Sequence, residues 1–119
     1  MPANSRQAIP PGTLEMLVLQ ILTNTRPLHG FEIAERIAER SGEVFEVEEG
    51  SLYPALQRLL SQRLVDAEWG RTEENRRARY YRPTATGRKH LGAEIERYRI
   101  VSAAINLILN GAALKGAEA

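Results

Sequence analysis

The chain has 119 residues and is 43% apolar, which is typical of one folded domain with a modest core. It has no cysteine, so disulfides, thiolate chemistry and cysteine-ligated zinc are excluded. The formal net charge is only +1, so the overall charge does not by itself indicate a nucleic-acid partner. No apolar run reaches the roughly 18 residues of a membrane span, and residues 1–11 lack the apolar segment of a signal peptide, which predicts a cytoplasmic protein without membrane attachment.

The first part of the chain predicts a tail followed by an apolar helix. We expect residues 1–11 to form a flexible N-terminal tail, because they are polar and carry prolines. Segment 13–24 predicts a helix in which Leu14 and Leu17 share one face, while Met16 and Leu19 lie outside that stripe. A helix that is apolar on two sides must be covered on both, either within one subunit or by a second subunit. The sequence leaves these two alternatives open.

Two further helices are predicted before the middle of the chain. The second helix opens at Gly30 and stops at Ser41–Gly42, and the third runs from about residue 50 to 63 with Pro54 early in it. Residues 43–49, which hold four acids and no base, join them as a solvated turn or short link. These acids lack the glycine and ligand pattern of an EF-hand, so we expect no metal and no cofactor.

A change of periodicity then predicts a β-hairpin and a long helix. Segments 64–69 and 79–83 alternate as paired strands, and residues 70–78 form a long polar loop. Thr84 is a suitable cap for a fourth helix that runs to about Leu109, with a final flexible tail at 111–119. The order of elements predicts a mainly α protein with a small β-hairpin: a winged helix-turn-helix over 12–83, followed by a long C-terminal helix over 84–110.

The winged helix-turn-helix arrangement directs attention to two groups of polar side chains. The second helix of such a pair enters the major groove of DNA, and its outward positions here are Ser51, Tyr53, Gln57, Arg58 and Ser61. Arginines on the protruding hairpin can reach phosphates, and they are Arg71, Arg76, Arg77 and Arg79. The alternatives are an ordinary solvated helix face and a solubilising loop. Clustered arginines beside a helix pair favour DNA binding.

Other functions have weaker support in the sequence. His29 and His90 are isolated, and no nucleophile–base pair or phosphate-binding glycine loop is present, so we expect no enzyme activity. A protein–protein interaction module on the same scaffold, with the hairpin bound to an acidic partner, is the main alternative. A third hypothesis is a small metal-dependent hydrolase that uses the acidic side chains of residues 43–49.

Several strings in the chain resemble the PadR family of transcriptional regulators. They are Gly12–Leu19 (GTLEMLVL), Leu28–Ala34 (LHGFEIA), Glu49–Leu56 (EGSLYPAL), Arg79–Thr84 (RYYRPT) and Thr86–Arg88 (TGR). The resemblance covers about residues 12–109, with the motifs in the family's order. Phe31 stands where the family often has tyrosine, which removes a hydroxyl but keeps the packing role.

The resemblance implies a winged helix-turn-helix with a C-terminal dimerisation helix. It also implies a homodimer, usually a repressor, that binds double-stranded DNA at a palindromic operator. It assigns DNA contact to Ser51, Tyr53 and Pro54, with the hairpin arginines as phosphate partners. The chain is similar to the compact branch of the family. Better-known members sense phenolic acids or hydrophobic drugs. The resemblance carries no particular effector over to this chain, so a small hydrophobic or aromatic effector stays an unidentified candidate partner.

Residue patterns and resemblance together give one hypothesis. The homodimer is joined through helices 84–109 and 13–24, with dimerisation residues Leu14, Leu17, Leu91, Ile95, Tyr98, Ile105 and Ile108. The DNA-binding residues are Ser51, Tyr53, Pro54, Gln57, Arg58, Arg71, Arg76, Arg77 and Arg79.

Overall fold

The computed structural model describes residues 6–115, and side chains as far as residue 111. Expectations for residues 1–5 and 116–119 lie outside the described part. The elements are α1 (Leu14–Leu22), α2 (Gly30–Arg40), α3 (Glu49–Ser61), β1 (Val65–Arg71), β2 (Arg77–Pro83) and α4 (Ala85–Lys115). This order confirms the predicted mainly α fold with one hairpin. None of the helices within the described residues is long and apolar enough to cross a membrane.

Helix α1 lies at the centre of the hydrophobic core of this chain. It contacts α2, α3 and α4, and its buried residues include Leu19, which is only 1% exposed. Met16 is partly buried against the same core, as are Leu14 and Leu17. The second side of α1 is therefore covered largely by other residues of the same chain. The helix ends at Leu22, two residues before the predicted end, because Thr23 is extended and Asn24 has a positive φ of 62°.

The hairpin is longer and its loop shorter than the sequence predicted. The strands are antiparallel, and the ladder continues past Trp69↔Arg79 to Gly70↔Ala78 and Arg71↔Arg77. Only residues 72–76 remain as the loop, so the predicted loop of 70–78 is wrong by two residues on each side. The Thr72 hydroxyl accepts the Arg76 backbone N–H at 3.1 Å and stabilises this tight connection. We call β1, β2 and this loop the wing.

Helix α4 begins where predicted and ends later. The Thr84 hydroxyl accepts the Gly87 N–H at 2.9 Å, which caps the helix as expected. The start of α4 also lies against the chain between α3 and β1, where the Thr84 N–H donates to the Leu64 carbonyl at 3.0 Å. The predicted end at about Leu109 is wrong, because the helix continues through Gly111 to Lys115. A glycine costs a helix only about 1 kcal/mol and is a weak stop signal.

The segment that precedes α1 is attached to the acidic turn. The Gln7 N–H donates to the Val44 carbonyl at 2.7 Å, and the Glu46 N–H donates to the Gln7 carbonyl at 3.2 Å. An ion pair of 2.6 Å joins Arg6 to Glu43. We call residues 6–11 the arm. These contacts place the arm beside the turn that leads into α3.

Candidate nucleic-acid interface

Helix α3 presents a polar face because its opposite face is fixed in the core. Leu52, Ala55, Leu56 and Leu59 are buried at helical spacing. The residues between them are exposed, including the predicted DNA contacts Ser51, Tyr53, Pro54, Gln57 and Arg58. Pro54 is the sixth residue of α3 rather than part of its first turn, so the helix lacks one internal hydrogen bond there. The exposed face carries hydroxyl, amide and guanidinium groups, which can bond to base edges.

Tyr53 lies over the first residue of α2. A Cβ atom on Gly30 would stand 2.7 Å from the Tyr53 hydroxyl oxygen, closer than real Cβ contacts allow. Gly30 therefore provides the space in which the Tyr53 ring rests. The ring remains 47% exposed, so its position is defined while its outer surface is free to meet a ligand.

The wing carries its arginines in two different environments. Arg71, Arg76 and Arg77 are exposed, whereas Arg79 is half-buried. The guanidinium carbons of Arg77 and Arg79 lie 4.3 Å and 5.5 Å from the centre of the Trp69 ring. Both distances are within the range of a cation–π attraction. Trp69 is 55% exposed, so it supports these arginines instead of closing the core.

A crevice of about 580 Å³ separates α3 from the wing. Tyr53 and the start of α2 form one wall, and the other wall includes Arg76, Arg77 and Arg79. Glu74 is the one acid in this lining, so three arginines outweigh a single carboxylate. We call this space the wing crevice. Its size, opening and positive charge suit a segment of phosphate backbone beside the Tyr53 ring.

Arg58 points away from the wing crevice. Its Nε atom donates to a Glu15 carboxylate oxygen of α1 at 2.5 Å. Together with Ser51 and Pro54, Arg58 lines a second crevice of about 550 Å³ beside the arm. The predicted helix residues are therefore divided: Tyr53 faces the wing, while Ser51, Pro54 and Arg58 face the arm.

Side chains with shifted pKa values lie near the start of α2 and on the inner face of the wing. The Arg26 guanidinium donates hydrogen bonds of 2.7 and 3.3 Å to Glu32, which also accepts the His29 N–H at 3.2 Å. The hydrogen bond from Arg26 is the main cause that lowers the pKa of Glu32. Burial raises the pKa of Tyr81, which remains a neutral phenol. Among the described residues, no group of three or more histidine and acidic side chains could hold a metal.

The predicted dimerisation residues also fall into two sets. Leu91 is only 5% exposed and belongs to the core of this chain, and Leu14, Leu17 and Ile95 pack against that core. Tyr98, Ile105 and Ile108 are 50%, 51% and 73% exposed. Further large apolar side chains of α4 are exposed as well, namely Ile100, Val101, Leu107 and Leu109. Residues 98–109 of α4 thus present an apolar surface that the rest of the chain does not cover.

Comparison with known proteins identifies the family. Residues 18–93 match the model of the transcriptional regulator PadR-like family, and this range includes both the helix pair and the wing. The chain belongs to the PadR-like family. Its members are transcriptional regulators and not enzymes, which confirms the predicted family and the expectation that the chain is not an enzyme.

Solved structures of transcriptional regulators, two of them named as PadR family members, share the fold. A transcriptional regulator from Clostridium thermocellum is 28% identical, with a TM-score of 0.73 over 80% of this chain and 91% of that one. A PadR family regulator from Clostridium difficile is 28% identical, with a TM-score of 0.69 over 82% and 99% of the two chains. Another from Eggerthella lenta is 30% identical, with a TM-score of 0.70 over 82% of each. The fold is therefore that of the family over most of its length.

Sequence reasoning missed three features of this PadR-like interface. It did not predict the arginines stacked on Trp69, although the loop of 70–78 already implied that Trp69 faces Arg79 across the hairpin. It did not predict the pairing of Arg58 with Glu15, which are 43 positions apart and leave no local signal. It also placed the arm in a flexible tail, where only the opposite charges of Arg6 and Glu43 hinted at a contact.

Proposed function

We propose that this PadR-like protein is a sequence-specific DNA-binding regulator in which α3 is the recognition helix. The observation that carries the proposal is the wing crevice, where the exposed ring of Tyr53 and three wing arginines face one space. Phosphate contacts position a protein on DNA, and contacts to base edges select the sequence. The wing arginines would therefore supply affinity, and Ser51, Tyr53 and Gln57 would supply selectivity.

We further propose that the working form is a homodimer. PadR regulators bind DNA and typically dimerise, and the apolar surface of α4 after Ile95 offers a second copy a contact area. Tyr98, Val101, Ile105 and Ile108 recur at spacings of three and four, so they form a single stripe. A two-fold axis through this stripe would place two recognition helices about 34 Å apart on a palindromic operator. Occupying a promoter in the cytoplasm in this way would repress transcription.

The test is binding to duplex DNA at two salt concentrations. A protein that grips phosphates binds random duplex at low salt, and its affinity falls steeply between about 50 and 200 mM salt. Arg76→Ala and Arg77→Ala should each lower the slope of log affinity against log salt by about one. Arg40→Ala is the matched control, because Arg40 is exposed at the end of α2 and lines neither the wing crevice nor the crevice beside the arm. Absence of any low-salt binding would favour a protein–protein interaction module instead.

A further inference from the structure

Trp69 occupies an unusual place for a tryptophan in so small a protein. It is the only tryptophan in the chain, and it lies on β1 directly opposite Arg79 of β2. Arg77 is two residues before Arg79, so both side chains emerge on the face of the hairpin that carries the Trp69 ring. The exposed ring thus makes cation–π contacts with two guanidinium groups, whose central carbons lie 4.3 and 5.5 Å from the ring centre.

The same two arginines also line the wing crevice opposite Tyr53. Two neighbouring cations repel each other, and a free arginine side chain samples many rotamers. An aromatic face within about 6 Å offsets the repulsion and limits the sampling. Trp69 thus contacts the same guanidinium pair that lines the wing crevice, although Trp69 itself is not part of that lining.

Arg79 gives an independent indication of what the cluster receives. Its Nε atom is buried and has no hydrogen-bond partner, the one such side-chain atom among the described residues. A buried donor without an acceptor is costly. A phosphate oxygen is an acceptor of the matching charge, and it would satisfy this donor once the Arg79 side chain turns its Nε atom towards the wing crevice.

We propose that Trp69 is a positioning residue for DNA binding: its indole face holds Arg77 and Arg79 at the wing crevice, where they engage the backbone phosphate beside Tyr53. This inference rests on the proposed function and goes beyond it. Affinity then depends on the π-electron density of Trp69 as well as on the number of wing arginines.

Fluorinated tryptophan gives a direct test, since global replacement alters only position 69. Increasing fluorination draws electron density from the ring face with little change of shape, so the attraction for a cation falls stepwise. We expect duplex affinity to fall stepwise by about two- to fivefold in total. In the double variant Arg77→Ala/Arg79→Ala, the same fluorination should have no effect. Trp69→Phe should keep more affinity than Trp69→Leu, and circular dichroism checks that all variants are folded.

The outcomes separate this inference from the proposed function. Equal DNA affinity across the fluorinated series would overturn the role of Trp69 while leaving DNA binding in place. A fluorination effect that persists without Arg77 and Arg79 would also overturn it, because the ring would then contact DNA itself. Failure of the unmodified protein to bind any duplex at low salt would remove the proposed function first.

Discussion

Replacing Gly87 with alanine tests how closely α4 approaches the chain between α3 and β1. A Cβ atom at this position would lie 1.9 Å from the Leu64 carbonyl oxygen and 2.9 Å from its carbon. Both neighbours are backbone atoms, and the same carbonyl accepts the Thr84 N–H at 3.0 Å. The helix cannot move away without weakening this bond, so the overlap has no inexpensive relief.

The expected size of the effect follows from three contributions. Overpacking of this kind costs about 1–3 kcal/mol, and the weakened hydrogen bond adds about 1 kcal/mol. Alanine regains about 1 kcal/mol of helix propensity. Gly87→Ala should therefore lower the free energy of unfolding by about 2 kcal/mol in total.

Gly92→Ala is the matched control in the same helix. A Cβ atom at Gly92 meets nothing within 4 Å, so only the propensity gain of about 0.5–1 kcal/mol applies. Urea unfolding followed by circular dichroism, at one protein concentration, measures both variants. If Gly87→Ala proved as stable as Gly92→Ala, the close packing of α4 against Leu64 would be refuted.

Three further predictions concern assembly, pH and specificity. Ile105→Glu should shift the dimer towards the 13.3 kDa monomer in sedimentation, whereas Asn106→Glu, on the polar face of α4 that carries Arg99 and Asn110, should not. A dimer unaffected by Ile105→Glu would contradict the interface. Arg26 lowers the pKa of Glu32, so their ion pair stabilises the fold fully above the ordinary carboxyl pKa of 4.5, and this stabilisation is lost as the pH falls through the lowered pKa. In urea unfolding, Glu32→Gln should therefore flatten the loss of unfolding free energy on the acid side. An unchanged pH profile would refute this contribution of Glu32. Tyr53→Ala should reduce the ratio of operator to random DNA affinity by about tenfold, and an equal loss on both DNAs would assign Tyr53 to phosphate contact.

Local patterns were sufficient to predict most of the fold. The spacing of Leu52, Leu56 and Leu59 indicates a helix with one buried face, and Thr84 marks a helix start by its capping chemistry. The predicted bounds of an element were wrong where a contact with a distant part of the chain decides where the element ends. Gly70 has a weak strand preference, yet it joins the ladder opposite Ala78, and the pairing continues to Arg71 opposite Arg77.

The candidate site was predictable in composition and less so in geometry. The polar residues of α3 and the wing arginines follow from their positions in the chain. The contacts within the site depend on how separate elements pack. Examples are the pairing of Arg58 with Glu15 and the stacking of Arg77 and Arg79 on Trp69. Single-sequence patterns carry no information on such contacts, because the partners are distant in the chain or on facing strands.

The central claim is tested most directly by titrating the protein into two labelled DNA duplexes, one with a palindromic sequence and one with a random sequence, over a series of salt concentrations. If α3 and the wing form the DNA interface, the protein binds both at low salt. Arg76→Ala/Arg77→Ala then lowers both affinities and reduces the salt slope by about two. A salt slope unchanged by this double variant, or no binding by the unmodified protein, would contradict the account.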